Sequence, residues 1–286
     1  MKIDKTAIVD RNAAIGENVK IGPYSIVEEN VEIGANTEIL PFCHIKGSTK
    51  IGKNNIIHTG SIIGEKPQML GLKRELGHLS IGNNNIIREY VTINTSTEEN
   101  NRTELGDNNY LMGFSHIAHD CRLGNNITMS NGSLLAGHVE VEDSATISAN
   151  TAIHQFVRIG RLAMIGGLSR VTKDVPPFMM LIGNSKIFGI NTIGLKRAGF
   201  STEEINEVKR IFTTIYRKKL PLNKILDELK KSNTIRTEEV IEFIESSKRG
   251  ISGGKTSNLV EKLFLEYPLF AKQRVNAYRL FKKAAR

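Results

Sequence analysis

An aliphatic residue recurs at every sixth position over more than half of this 286-residue chain, and few folds accommodate such a period. Steps of six from Ile3 to Val171 give 29 positions, and 27 of them hold Ile, Leu, Val or Met. A chain that is 40% hydrophobic would place such residues at about twelve of the 29 by chance. So regular a repeat indicates one small structural unit stacked many times.

A second set of mostly small side chains follows many of these aliphatic residues by four positions, as Ala7 follows Ile3. An amphipathic helix would repeat about every 3.6 residues and a half-buried strand about every two. A period of six therefore predicts short strands separated by bends and wound as a parallel β-helix. Cys43 and Cys121 fall in the small inward position, so we expect both thiols to be buried, unpaired and slow to react.

Two segments interrupt the repeat, residues 64–80 and residues 94–104, and both are polar or rich in turn-forming residues. Glu75 and Glu99 stand where the repeat requires an aliphatic residue. We therefore expect two loops that project from a β-helix spanning residues 1–186. Loops on a rigid scaffold are common places for binding residues.

The spacing of apolar residues becomes helical in the C-terminal third of the chain. Ser201 followed by Glu204 is a capping-box signature, and an apolar stripe begins at Ile205. The sequence thus predicts an α-helical C-terminal domain over residues 187–286. Its last part, residues 252–286, is a basic extension with eight Lys and Arg against two Glu.

The net charge of +9 suits an acidic protein, an anionic lipid or nucleic acid as partner. Aromatic residues are not interleaved with the basic ones as stacking platforms, which argues against nucleic acid. The chain has no stretch of about 18 uncharged apolar residues and no apolar secretory segment at its start. We therefore expect no transmembrane segment and a cytoplasmic location.

Four of the seven histidines lie in one short part of the repeat: His116, His119, His138 and His154. If each coil uses three of the six-residue repeats, Gly137 stacks on His119, and Gln155 stacks one coil further on. His138 and His154 flank the same column. We expect these imidazoles to converge on one surface of the β-helix, which is more typical of a functional cluster than of packing.

The histidines belong to the segments SHIAHDC from Ser115, LLAGHVEV from Leu134 and TAIHQF from Thr151. These motifs resemble those of the UDP-N-acetylglucosamine O-acyltransferases of lipid A biosynthesis, a family of hexapeptide-repeat enzymes. The resemblance extends to about residue 251. It implies a mainly β fold, in which a left-handed parallel β-helix precedes an α-helical domain.

The resemblance also implies an activity and an assembly. The activity is transfer of a 3-hydroxyacyl chain from acyl carrier protein to the glucosamine 3-position of the UDP-amino sugar. The donor's 4'-phosphopantetheine thioester is a substrate, and no separate cofactor is expected. The assembly is a homotrimer with its sites between subunits.

The resemblance assigns His119 as general base, Asp120 as the group that orients and stabilises it, and the Gly137 N–H as an oxyanion donor. A neutral imidazole suits removal of a hydroxyl proton because its pKa lies near working pH. Gly167 is the position expected to limit acyl length, and no metal ligand is expected. Substrate contacts are implied for seven residues: His116, His138, His154, Gln155, Gly167, Asn191 and Arg197.

The chain departs from the family pattern near the expected acceptor site. An Asp and a Lys usually follow Pro-Gln, but here Pro67 and Gln68 precede an uncharged run: Met69, Leu70 and Gly71. Lys73 or Arg74 would have to replace the missing lysine. Three further positions also differ: Asn94, Ile193 and Ala198. Acylation of a different nucleotide sugar, on oxygen or nitrogen, therefore stays an alternative.

Two hypotheses come from other classes of function. A zinc-dependent hydratase resembling the carbonic anhydrases of this fold would use three imidazoles as ligands to one metal. Stoichiometric zinc in protein purified without chelator would identify it. A non-catalytic binding scaffold would keep its cellular function after His119→Ala.

Overall fold

A computed structural model describes residues 2–72, 77–218, 220–232 and 234–254. The chain winds as a left-handed parallel β-helix, and successive strands enter a first, a second and a third sheet in turn. The prediction of a mainly β fold with a helical C-terminal region is confirmed. Within the part of the chain described, there are 29 strands and four helices.

The first sheet contains twelve strands: β1 (Lys2–Ile3), β4 (Lys20–Ile21), β7 (Glu38–Ile39), β10 (Ile56–Ile57), β13 (Ile86–Ile87), β16 (Tyr110–Leu111), β19 (Thr128–Met129), β22 (Thr146–Ile147), β25 (Met164–Ile165), β27 (Met179–Ile182), β28 (Lys186–Ile190) and β29 (Gly253–Gly254). The second sheet contains nine: β2 (Ile8–Val9), β5 (Ile26–Val27), β8 (His44–Ile45), β11 (Ile62–Glu65), β14 (Thr92–Asn94), β17 (His116–Ile117), β20 (Leu134–Leu135), β23 (Ala152–Ile153) and β26 (Arg170–Val171). The third sheet contains eight: β3 (Ala14–Ile15), β6 (Glu32–Ile33), β9 (Thr49–Ile51), β12 (His78–Ile81), β15 (Arg102–Leu105), β18 (Arg122–Leu123), β21 (Glu140–Val141) and β24 (Arg158–Ile159). The helices are α1 (Thr192–Arg197), α2 (Thr202–Tyr216), α3 (Leu222–Leu229) and α4 (Ile235–Glu245).

The strand register shows how many hexapeptide repeats each coil uses. Lys2 pairs with Lys20, three hexapeptides further along the chain, and most coils likewise use three. Ile62 pairs with Thr92, five hexapeptides further on, and Thr92 pairs with His116, four hexapeptides further on. The first of these two coils therefore carries two extra hexapeptides, and the second carries one. Because both insertions are whole hexapeptides, the aliphatic phase continues across them.

The inserted segments leave the sheets over shorter stretches than the sequence predicts. β11 and β12 leave residues 66–77 outside the sheets instead of 64–80, and this segment is termed the first loop. β14 and β15 leave residues 95–101 outside instead of 94–104, and this segment is termed the second loop. Parallel pairing of β11 with β14, and of β12 with β15, extends the strands beyond the point where the aliphatic repeat breaks.

The aliphatic positions point into the prism and form its core. Ile45, Ile87 and Ile117 are fully buried, and each such side chain contributes about 2 kcal/mol relative to an exposed one. Cys43 and Cys121 are buried among them and unpaired, as predicted. Burial raises the pKa of Cys43 to about 11 and that of Cys121 to about 12.

The turns between sheets repeatedly place one residue at positive φ. Asn18, Asn36 and Asn54 have φ values of 56°, 59° and 58°, a conformation that asparagine tolerates better than most residues. Their side chains also form a ladder, with 3.2 Å between amide nitrogen and oxygen at each step. Asp120 and His138 occupy corresponding turn positions, with φ of 60° each. The same bend is therefore imposed on two predicted site residues.

The first sheet continues past residue 186, the predicted end of the β-helix. β27 pairs in parallel with β25, the chain reverses near Gly183, and β28 then pairs antiparallel with β27. β29 adds to β28 in parallel. The reversal returns the chain to the first sheet, so β28 begins at residue 186, where the sequence predicts the β-helix to end.

The helices follow this reversal, and α2 contacts β28. The predicted capping box is present: Ser201 Oγ accepts from the Glu204 N–H at 3.2 Å, and the Glu204 carboxylate accepts from the Ser201 N–H at 2.8 Å. Ile205 and Val208 are buried, as the apolar stripe predicts. Most of the predicted basic extension, residues 255–286, lies outside the described residues. No helix among those described is long and apolar enough to cross a bilayer.

Candidate active site

Most of the predicted site residues lie at one edge of the prism, where the chain passes from the second sheet to the third. This histidine edge is defined by three turns, residues 118–121, 136–139 and 154–157, together with the second loop. Both inserted loops leave the prism at this edge. The three turns stack on one another because each of these coils uses three hexapeptides. The two loops lie in the preceding coils, which contain the inserted hexapeptides.

His119 and Asp120 form a hydrogen-bonded pair, termed here the imidazole–carboxylate pair. His119 Nδ1 lies 2.8 Å from Asp120 Oδ2, and the imidazole is 16% exposed whereas the carboxylate is 1% exposed. Neighbouring strand residues point to opposite sides, but the positive φ of Asp120 bends the chain at this point. Because an ionised carboxylate only accepts hydrogen bonds, Nδ1 carries the proton and Nε2 remains the basic nitrogen.

The second loop supplies most of the hydrogen bonds to the Asp120 carboxylate. Thr97 donates to Oδ2 through its hydroxyl at 2.7 Å and its N–H at 3.3 Å. Ser96 Oγ and Asn101 Nδ2 donate to Oδ1. Burial raises the pKa of the Asp120 carboxyl, but the hydrogen bonds from Ser96, Thr97 and His119 outweigh burial, and the pKa is lowered. These loop residues are not among those predicted from the sequence; their only signal is a run of hydroxyl and amide side chains.

Gly137 lies one coil from His119, with its backbone against the imidazole. Its N–H donates no hydrogen bond to any described residue, whereas the next N–H, that of His138, donates to the His119 carbonyl at 3.0 Å. An N–H without an acceptor, in a residue that packs against the basic imidazole, is what an oxyanion donor requires. The stacking of these two residues agrees with a coil of three hexapeptides.

His138 packs between His119 and Phe156. Its ring meets the His119 ring edge-on with centroids 5.2 Å apart, and it stacks on Phe156 at 4.6 Å. His138 Nε2 lies 3.7 Å from Asp120 Oδ2, which is too long for a hydrogen bond. Phe156, which is not among the site residues predicted from the sequence, thus fixes the second imidazole beside the pair.

The other two histidines of the cluster lie on either side. His116 Nδ1 is 2.7 Å from Thr92 Oγ1, and burial lowers the pKa of His116, which favours its neutral form. His154 and Gln155 are exposed in the next turn, and His154 Nδ1 lies 3.2 Å from the Gln155 carbonyl. In the part of the chain described, neither side chain forms a hydrogen bond with the imidazole–carboxylate pair.

Three predicted substrate-binding residues lie away from the histidine edge within one chain. Gly167 is exposed in a turn between the first and second sheets. Asn191 is buried and caps α1: its side chain accepts from the Gly194 N–H at 3.0 Å and donates to the Leu162 carbonyl at 2.9 Å. Arg197 is exposed in the last turn of α1.

The first loop presents an apolar surface where the family pattern has charge. Leu70 is fully exposed, Met69 is exposed, and Gly71 has a φ of 75°. Lys73 and Arg74, the possible replacements for the missing lysine, lie outside the described residues.

The other three residues that differ from the family pattern lie in different parts of the structure. Asn94 is buried, and its amide nitrogen donates to the carbonyls of Glu65 and Lys66 at 3.2 and 3.1 Å, which ties the base of the first loop to β14. Asn94 Oδ1 has no partner among the described residues. Ile193 and Ala198 are both exposed in or beside α1.

A groove of about 650 Å³ opens beside the imidazole–carboxylate pair and runs toward the C-terminal domain. Asp120, His138 and Phe156 line it near the pair, and Arg158 and Arg249 line it further along. His119 and Gly137 are not among the residues that line the groove.

Three ligand atoms at the site lie within 4.8 Å of one another, those of His119, Asp120 and His138. Two histidines and a carboxylate suit a divalent metal. The hydratase hypothesis, however, requires three imidazoles. Within the described chain, His116 and His154 do not join this group.

Comparison with known proteins agrees with the fold and with the family resemblance. Residues 174–252 match the family described as UDP N-acetylglucosamine O-acyltransferase, domain 2. Residues 12–47 and 30–65 match the bacterial transferase hexapeptide family. The acyl-(acyl carrier protein)–UDP-N-acetylglucosamine O-acyltransferase of Thermodesulfovibrio yellowstonii is 48% identical over 254 residues, which cover 87% of this chain and 98% of that protein.

The enzyme of the same name from Halorhodospira halophila is 44% identical, also over 254 residues, 87% of this chain and 98% of its own. Among solved structures, the UDP-N-acetylglucosamine acyltransferase of Francisella novicida superposes with a TM-score of 0.85 at 37% identity, over 89% of this chain and 95% of that one. Similarity over nearly the whole length of these relatives confirms the resemblance found in the histidine motifs: this chain belongs to the acyl-(acyl carrier protein)–UDP-N-acetylglucosamine O-acyltransferase family.

Proposed function

We propose that this protein transfers a 3-hydroxyacyl chain from acyl carrier protein to the glucosamine 3-hydroxyl of UDP-N-acetylglucosamine, a step in lipid A biosynthesis. One arrangement carries the proposal: a buried carboxylate, Asp120, holds the imidazole of His119, and that ring packs against Gly137, whose N–H has no partner in the described chain. The names of the relatives include both substrates.

Each of these three groups has a defined role in the proposed reaction. His119 Nε2 accepts the proton of the sugar hydroxyl while the hydroxyl oxygen bonds to the thioester carbon. Asp120 stays ionised and stabilises the imidazolium that forms. The carbonyl oxygen gains negative charge, and the Gly137 N–H stabilises that charge by about 3 kcal/mol. The carbon–sulfur bond then breaks, and the departing sulfur takes the proton from His119.

Four further residues of the histidine edge position the substrates in this proposal: His116, His138, His154 and Gln155. Because His116 Nδ1 is engaged with Thr92, a neutral His116 has its other ring nitrogen, Nε2, left to contact a sugar or phosphate. Arg197 is exposed and suited to a phosphate, and Asn191 acts through the start of α1, the helix that carries Arg197.

The proposal includes a homotrimer with active sites between subunits. Within one chain, Gly167 and His119 lie at different edges of the prism. If Gly167 limits acyl length at the site of His119, a second copy must supply it. A closed trimer would repeat that heterologous contact three times.

The edge that carries Gly167 has the apolar surface that such an interface needs. Tyr24 stacks on Phe42 at 5.3 Å, and Tyr90 stacks on Phe114 at 5.1 Å, and all four rings are exposed in the single chain. Exposed stacked aromatics along one edge are typical of a surface that is covered in an assembly.

Mixed oligomers test the shared site. His119→Ala and Gly167→Trp chains are expected to be inactive alone, the second because indole fills the acyl path. Co-expressed chains that mix at random would form intact sites at about a quarter of the interfaces. Recovered activity supports the shared site. A mixture as inactive as its parents, in trimers shown to be mixed, would contradict it.

An acidic carrier protein suits the charge of this chain. Exposed cations lie on the helical domain, among them Lys209, Arg210, Lys224 and Lys231. Electrostatic steering of acyl carrier protein should make kcat/KM fall as salt rises from about 50 to about 300 mM. A short acyl-pantetheine donor, which lacks the carrier's charge, is the control and should show little salt dependence.

A cytoplasmic location and the absence of a metal or nucleic-acid requirement belong to the same proposal. The ligand set of His119, Asp120 and His138 makes metal analysis the direct check. Chelator-treated enzyme should keep its activity. Stoichiometric zinc whose removal abolishes activity would overturn the assignment of His119 as base.

A different acceptor is favoured by one observation, the exposed apolar residues of the first loop, Met69 and Leu70. Loss of charged contacts to a substrate changes selectivity more than chemistry. The second candidate is therefore the same acyl transfer to another nucleotide sugar, on a hydroxyl or an amine.

One assay addresses acceptor and donor together. Purified enzyme is incubated with 3-hydroxyacyl carrier proteins of several chain lengths and with UDP sugars bearing a hydroxyl or an amine at position 3. His119→Ala is the matched control and should form no product. No product from the wild type with any pair would overturn the proposed transfer, and equal product from the mutant would overturn the base.

A further inference from the structure

The Asp120 carboxylate is shared by more groups than a catalytic pair requires. Its Oδ2 atom accepts from His119 Nδ1 at 2.8 Å and from the Thr97 hydroxyl at 2.7 Å. The Nε2 atom of His138 lies 3.7 Å from the same oxygen. Two imidazoles thus flank one carboxylate oxygen, but only His119 is hydrogen-bonded to it.

We infer that Thr97 is a positioning residue for acyl transfer, because it fixes Asp120 Oδ2 on His119 and away from His138. This inference rests on the proposed roles of His119 and Asp120. The Thr97 hydroxyl and N–H both donate to Oδ2, so they restrict the rotation that would bring this oxygen within hydrogen-bond distance of His138. A carboxylate turned to His138 would leave the His119 imidazole without its hydrogen-bond acceptor.

The insertion that forms the second loop explains how these donors reach the carboxylate. The turns of the next two coils, residues 136–139 and 154–157, carry no insertion at this edge. The extra hexapeptide before β15 places Thr97 over Asp120, whose own N–H donates to Thr103 Oγ1 at 2.8 Å. Among the residues that the structure describes, no Lys or Arg forms an ion pair with Asp120, so the loop donors are what let this buried carboxylate remain ionised.

The test compares Thr97→Val, which lacks the hydroxyl but keeps the shape and the N–H, with Thr97→Ser, which keeps the hydroxyl. Asn100→Ala is the matched loop control, because Asn100 is exposed and makes no hydrogen bond with the described chain. We expect Thr97→Val to lower kcat by about tenfold to a hundredfold with little change in either KM. Thr97→Ser should restore most of kcat, and Asn100→Ala should match the wild type.

The pH profile separates positioning from a general loss of structure. Without the Thr97 hydroxyl, Asp120 Oδ2 is free to turn toward His138, and His119 then loses the carboxylate that stabilises its protonated form. The acid limb of kcat/KM should therefore move to lower pH in Thr97→Val and stay in place in Thr97→Ser. If Thr97→Val does not fold, Thr97→Ala replaces it, since it removes the same hydroxyl and adds no bulk.

Failure of this inference and failure of the proposed function would give different results. Wild-type kcat and an unmoved acid limb in folded Thr97→Val, while His119→Ala is inactive, would overturn the inference alone. Activity in His119→Ala would overturn the proposed function itself. Nitrogen-15 NMR of the histidines gives a second readout: the Nδ1–H tautomer of His119 should lose population in Thr97→Val, and an unchanged spectrum would count against Thr97.

Discussion

The imidazole of His119 fills the space that a side chain at Gly137 would need. A β-carbon at residue 137 would come within 2.4 Å of His119 Cε1 and 2.6 Å of Nε2. Such approaches are essentially absent from real proteins, so a larger residue must displace the ring. Glycine at this position therefore leaves room for the base.

Gly137→Ala should lower kcat/KM by at least about a hundredfold, because the methyl group moves the His119 ring away from its reacting position. The partly exposed ring has room to move toward solvent, so thermal unfolding should change little. Steady-state kinetics and calorimetry measure the two effects. Gly189→Ala is the control, since its β-carbon would meet no atom within 4 Å. A Gly137→Ala enzyme with most of its activity would contradict the proposed geometry.

Asp120→Asn should lower kcat by about a hundredfold to ten-thousandfold, because an amide can present its N–H₂ to His119 and favour the wrong tautomer. KM for both substrates should change far less. Rapid-quench kinetics at saturating substrates measure the effect. Asp227→Asn, on the exposed face of α3, removes an equal charge and should be neutral. Near-normal kcat in Asp120→Asn would show that orientation of His119 does not depend on the carboxylate.

The sequence predicts the coil well because the aliphatic period reports directly which residues face inward. It predicts strand ends less well, since Glu65 and Asn94 are polar residues whose backbone pairing depends on the adjacent coil. The short helix α1 is missed for a related reason: among its six residues only Leu195 is buried, so it has no apolar stripe.

The sequence predicts only those features of the site that follow from the number of residues in each coil. Counting in steps of three hexapeptides places Gly137 on His119, but it gives no path for an inserted loop, and so Thr97 is not identified. The same count does place Gly167 at another edge from His119, because the 48 residues between them are two coils and two further hexapeptides. The handedness of the coil came from the resemblance alone.

Cys43 and Cys121 should not react with a thiol reagent in the folded protein at pH about 8. Burial raises the pKa of Cys43 to about 11 and of Cys121 to about 12, so at lower pH both remain protonated thiols. Each Sγ also donates to a backbone carbonyl, 3.1 Å away in both cases. Ellman's reagent should detect both thiols in about 6 M guanidinium chloride and neither in buffer. Rapid reaction of the native protein would show that the prism opens locally at these coils.

Asn191→Ala should act first on stability, because both ends of this buried amide are engaged within the chain. Loss of the cap on α1 and of the hydrogen bond to the Leu162 carbonyl should cost about 1–3 kcal/mol of the free energy of unfolding. Asn191→Asp keeps the acceptor for the Gly194 N–H and loses only the donor, so its stability should be intermediate. KM for the nucleotide sugar should rise in step with this loss, since α1 carries Arg197. Wild-type stability with a raised KM in Asn191→Ala would instead mean that Asn191 binds the substrate directly and that its capping role contributes little.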